Sequence, residues 1–80
     1  MSQDLVFDTV RRHILDVLPD LDPAQVTLDQ SLVALGANSV DRVEIVTMSM
    51  ESLNVTIPLV SFAQVRNIAG LVDVLNANLR

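Results

Sequence analysis

The sequence predicts an all-α fold: a small four-helix bundle with three main helices, a short helix before the last, and a long first loop. Three observations predict it. Apolar residues recur at three- and four-residue spacing in three separate segments, the period of an amphipathic helix. No stretch carries a strand pattern. Half of the residues are hydrophobic, with Phe7 and Phe62 as the aromatics and no Trp or Tyr, so one aliphatic core must serve the chain. Eighty residues fit a single domain over residues 1–80, burying roughly 60% of the unfolded surface.

The first helix is expected over residues 3 to 18, with Val6, Phe7, Val10, Ile14, Val17 and Leu18 on one face. Asp4 suits the dipole at its start and Pro19 stops it. A long connection, "PDLDPAQVTLDQSLVAL", follows. Asp22-Pro23 reads as an N-cap with proline at the first helical position, predicting a helical turn over 23 to 26. Leu28, Leu32 and Leu35 are expected to pin the loop to the core. Loops of this length inside a compact domain are usually functional.

Gly36 permits a sharp turn before the second helix, expected from Ser39 to Leu53. Two stripes compete for the core there. Ile45, Val46, Met50 and Leu53, with Ser49 between, form the first. Val40, Val43 and Thr47, flanked by Asp41, Glu44 and Glu51, form the second. The first stripe is assigned inward because it runs on into "NVTIP", where Val55 and Ile57 alternate like a packed extended turn. The second is then an exposed apolar face rimmed with acid, the character of a partner surface; burial of the helix on two sides is the alternative. A short helix is expected from Phe62 to Arg66. The last helix is expected to bury Ile68, Leu71, Val72, Leu75 and Leu79, with Asn67 as its cap. Gly70 inside it costs about 1 kcal/mol relative to Ala and predicts close approach by another helix.

Ten acidic residues face five arginines and no lysine, a net charge of −5. Nucleic-acid binding needs cations along the phosphates and is disfavoured. The acidic balance suits a basic protein partner, and serves equally to keep a small protein soluble. Without cysteine there is no disulfide framework or thiolate metal site. The start, "MSQDLVFD", lacks the basic and apolar regions of a signal peptide, and no apolar run spans a bilayer. A cytoplasmic monomer that binds neither membrane nor nucleic acid is expected. His13, beside Arg11 and Arg12, reads as a solvated surface residue with no orienting partner for catalysis. The acids lack EF-hand spacing, and no glycine-rich phosphate loop exists. Neither a catalytic residue nor a metal ligand is assigned.

Attention narrows to "LGANSVDRVEIV", residues 35 to 46. Asn38 or Ser39 can cap the second helix, with Asp41 in its first turn. The same position, at the end of a long loop and beside an apolar-plus-acidic face, suits a serine that carries a phosphodiester.

The stretch resembles the acyl carrier protein motif, Gly-x-Asp-Ser-Leu/Ile-Asp, whose serine receives 4′-phosphopantetheine. The "SLVALGANS" approach, the "LNVTIP" turn and the "RNIAGLVDVL" ending also fall where that family has its elements, so the resemblance covers essentially the whole chain. It implies an acyl-carrier-protein-like bundle in which Ser39 is modified by a phosphopantetheinyl transferase using coenzyme A. The departures are Asn38 in place of the usual Asp, Arg42, and a second helix whose acids thin to Asp41, Glu44 and Glu51. With these, "GANSVDRVEI" and "MSMESLNVTIPLVSF" resemble the stand-alone donor carriers of polyketide β-branching cassettes. That implies delivery of an acetyl or similar short acyl unit to an HMG-CoA-synthase-like enzyme. It also implies loading by an acyltransferase and a decarboxylating ketosynthase-like enzyme. The docking face would comprise Asn38, Val40, Asp41, Arg42, Val43, Glu44, Thr47 and Glu51. General fatty-acid or polyketide carriers, aminoacyl carriers and an unmodified interaction module remain the alternatives.

Overall fold

A computed structural model describes residues 3–79. Met1 and Ser2, part of the amino-terminal stretch read above, lie outside the described residues. Three α-helices, α1 (Gln3–Val17), α2 (Ser39–Leu53) and α3 (Ile68–Ala77), are joined by connections that each hold a short 3-10 turn. No strand occurs among the described residues.

α1 forms on the predicted stripe. Val6, Val10 and Ile14 are fully buried, and Phe7, Val17 and Leu18 pack partly against them. The helix ends at Val17, one residue early, although the Leu18 amide still donates to the Ile14 carbonyl at 2.8 Å. α2 and α3 close the core from the other side with Ile45, Val46, Leu53, Ile68, Leu71, Val72 and Leu75. α2 has the predicted bounds and buries the predicted stripe, with Met50 partly covered. Ser49 reaches the core because its hydroxyl donates back to the Ile45 carbonyl at 2.7 Å, leaving no unpaired polar group there. Asn54 closes α2 in the left-handed conformation, φ 54°, which asparagine tolerates better than most residues. The amide of Val55 then donates to Met50 at 3.0 Å.

The first connection is an ordered strap. Asp22 caps the 3-10 turn Pro23–Gln25 by accepting from the Ala24 amide at 2.9 Å. Val26 is the buried anchor of this strap. Leu28, expected to be one, is 40% exposed. Its carbonyl does the anchoring: it accepts from the Ala69 amide at 2.8 Å, while Gln30 accepts from Ile68 at 2.8 Å. With Asn67 Oδ1 accepting from Gly70 at 2.8 Å, the first three amides of α3 are satisfied, two of them by the strap. Between these carbonyls the Thr27 hydroxyl donates to Asp29 at 2.6 Å, which holds the Asp29 carboxyl below its ordinary range. Leu32 and Leu35 are partly buried as expected.

Three further expectations are corrected. The second 3-10 turn lies at Leu59–Phe62, not 62 to 66, because Pro58 sets its start and the chain turns again where the Val65 amide donates to Phe62. Gly70 faces no other helix. A Cβ there would stand 3.3 Å from Asn67 Oδ1 and 3.5 Å from Val65 Cγ1, so its freedom serves the cap. His13 is not solvated: its side chain is 12% exposed and wedged between α1 and α2. Nε2 lies 2.7 Å from Ser52 Oγ, and Nδ1 lies near the Asp16 carboxylate, 3.4 Å away, without a hydrogen bond.

Gly36 adopts φ +99°, a conformation strained for any side chain, although nothing stands within 4 Å of where a Cβ would sit. Gly36→Ala is expected to cost about 1–2 kcal/mol from backbone strain alone. Thermal denaturation followed by circular dichroism would then show a Tm lower by several degrees. An unchanged Tm would mean the turn relaxes without penalty.

Candidate functional site

The strap ends in a tight turn that aims the chain at the start of α2. Ala34 donates to Ser31 Oγ at 3.0 Å, Gly36 to the Val33 carbonyl at 3.0 Å, and Ala37 to the Leu32 carbonyl at 2.9 Å. Ala37 is buried and fixes this turn to the core. Asn38 then caps α2. Its Oδ1 accepts from the Asp41 amide at 2.8 Å, and the Asp41 carboxylate accepts from the Asn38 amide at 3.2 Å. This reciprocal pair satisfies amides the helix cannot, and an aspartate in place of Asn38 would offer the same acceptor.

The cap frees Ser39. It occupies the first helical position, exposed, and none of its atoms is spent on closing the helix end. Its Oγ accepts one hydrogen bond, from Arg42 Nη2 at 3.2 Å. Beside it runs a groove of about 420 Å³. Ser39, Arg42 and Val43 form one wall; Leu59, Phe62 and Val65 form much of the other; Leu32, Val46 and Leu71 also line it. An extended group attached at Ser39 has an apolar trough alongside.

Of the eight residues expected on one face, five are exposed and three half-buried. Val40 and Val43 are 65% and 48% exposed, and Glu44 and Glu51 are exposed with them. Asn38 is exposed at the head of this face, Asp41 and Arg42 are half-buried, and Thr47 is also half-buried rather than free. Leu59 and Val60, 51% and 78% exposed, add further exposed apolar surface and were missed. The signal for them was present: "IPLVSF" is apolar on successive residues, which a short turn cannot bury all round. Also missed was the guanidinium contact on Ser39, which the i, i+3 spacing of Ser39 and Arg42 allows. His13 is no part of this site, since its partner Ser52 sits near the opposite end of α2, about 20 Å along the axis.

Residues 8–75 match the family model described as phosphopantetheine attachment site. Over 75 residues the chain is 41% identical to the polyketide biosynthesis acyl-carrier protein AcpK of Bacillus subtilis (strain 168), covering 94% of this chain and 92% of that protein. Its fold is similar to the carrier chain in the crystal structure of the curacin biosynthetic pathway HMG synthase in complex with acetyl donor-ACP. The TM-score is 0.88 at 34% identity, over 96% of this chain and 99% of that one.

Proposed function

The chain belongs to the phosphopantetheine-attachment family of acyl carriers, and from that premise we propose that it is the donor carrier of a polyketide β-branching cassette. Ser39 is the attachment point. The observation that carries the donor role is the likeness to a carrier crystallised with HMG synthase, extending over nearly the whole of both chains.

The residues fit the 4′-phosphopantetheine group. The Ser39 hydroxyl is exposed, is not needed as the helix cap, and opens onto an apolar groove. Under a phosphopantetheinyl transferase, Ser39 Oγ attacks the β-phosphorus of coenzyme A and forms a phosphodiester. The bond to the 3′,5′-ADP leaving group breaks, and the hydroxyl proton passes to a base of the transferase. The group ends in a thiol that holds acyl units as thioesters.

Everything else asked of this chain is presentation. The cap and the Gly36 turn hold Ser39 at a fixed place, so the tether gives a high effective concentration at a docked enzyme. Val40 and Val43 form the apolar centre of docking, with Thr47 at its margin. Asn38, Asp41, Glu44 and Glu51 form the rim, each exposed charge contributing about 0.2–1 kcal/mol and steering a basic partner. A small interface of this kind releases readily. The chemistry belongs to the partners: the transferase, the HMG-CoA-synthase-like enzyme, and the acyltransferase and decarboxylating ketosynthase-like enzyme that load the carrier. In this reading the chain is a monomeric carrier domain of the cytoplasm rather than an enzyme. No helix among the described residues is long and apolar enough to cross a membrane.

The test is acetyl transfer. The arm-bearing protein, loaded with acetyl, is mixed with an HMG-CoA-synthase-like enzyme, and the enzyme is weighed by mass spectrometry. Acetyl is expected to reach the synthase faster from this carrier than from a fatty-acid carrier loaded identically. A synthase that takes acetyl from the fatty-acid carrier and ignores this one would sink the donor assignment.

A further inference from the structure

We infer that Arg42 is a positioning residue for the arm: its guanidinium holds the phosphodiester formed on Ser39 and sets that linkage on the groove side of α2. The inference rests on Ser39 being the attachment point.

Arg42 is placed against the ordinary preferences of a cation. It lies in the first turns of α2, where the helix dipole disfavours positive charge. It is half-buried, and its hydrogen-bond partner among the described residues is the neutral Ser39 hydroxyl at 3.2 Å. Among the described residues no carboxylate lines the groove or the smaller cavity beside it, both of which Arg42 borders. The groove holds Ser39 and apolar side chains. The smaller cavity, about 80 Å³, is bordered by Ser31, Asn67, apolar residues and a second cation, Arg66. The chain has twice as many acids as arginines, yet no ion pair joins this guanidinium to a carboxylate among the described residues.

Modification supplies one at that spot. The phosphorus bonds directly to the oxygen that Arg42 Nη2 already touches, so its non-bridging oxygens fall within reach of the same guanidinium. A neutral contact becomes a charge-assisted one, roughly twice as strong, and the planar fork of arginine can meet two oxygens together. Because Arg42 lines the groove along with Phe62 and Val65, a phosphate held there starts the arm along the apolar trough.

The experiment uses phosphorus NMR on the full chain carrying the arm, with mass spectrometry first confirming the attachment. In the folded wild type the phosphodiester resonance should be displaced from its position in the same protein unfolded in urea. Rising salt should shrink the displacement, since a half-exposed ion pair is screened. In Arg42→Gln the displacement should be lost, in Arg42→Lys partly kept, and in Arg66→Gln unchanged. Circular dichroism on each variant confirms the fold. Equal displacement in Arg42→Gln and wild type would overturn the inference, as would equal loss in Arg66→Gln, which would mark a general field effect. No arm mass on wild-type Ser39 would overturn the attachment reading itself, and the inference with it.

Discussion

Ser39→Ala is expected to fold normally and to gain no arm mass after incubation with coenzyme A and a phosphopantetheinyl transferase. The expected stability change is small, within about 0.5 kcal/mol, as for a surface substitution away from caps and core. The cap itself is the contrast. Asn38→Ala removes the acceptor for the Asp41 amide and is expected to cost about 1 kcal/mol while still permitting modification. Measured side by side, the two substitutions separate a serine kept for chemistry from a residue kept for the helix end. An arm found on Ser39→Ala protein would place the attachment elsewhere and dissolve the site described above.

Val43→Asp carries the second large effect. Val43 stands in the exposed stripe of α2, 48% exposed, so a carboxylate there remains hydrated in the free protein and the Tm should hardly move. On docking that carboxylate must be desolvated at the apolar centre of the contact. A loss of about 2 kcal/mol or more is typical of such central positions, which corresponds to an acyl-transfer efficiency roughly 30-fold lower. Val46→Asp, three residues on, is the opposite case. Val46 is buried in the core, so the same charge should unfold the domain or lower its Tm steeply. Unimpaired transfer by Val43→Asp would remove this face from the docking surface.

The assignment of stripes on α2 was legible because one of them continued past the helix end. The inward stripe ran on through Leu53 into Val55 and Ile57, of which Ile57 is buried. The turn and cap around Ser39 were legible because Gly36, Asn38 and Asp41 act over a few residues, and local geometry follows from local sequence. What could not be read is what distant segments do for one another. Leu28 looked like an anchor by its side chain and proved to anchor by its carbonyl, because backbone hydrogen bonds to α3 leave no trace in residue type. His13 looked solvated beside two arginines, since nothing local announces that Ser52, on another helix, meets its ring. The second 3-10 turn lies earlier than the expected 62 to 66 because Pro58 sets its start.

The two amide bonds from α3 to the strap bear on how this protein breathes. The amides of Ile68 and Ala69 exchange with solvent only when the carbonyls of Gln30 and Leu28 let go. Detaching that part of the strap therefore frays the start of α3, and with it the support of Leu71 and Val65, which line the groove beside Ser39. The strap and the wall that borders the trough are therefore expected to open together, and hydrogen exchange at the Ile68 and Ala69 amides is the measurement that would time it.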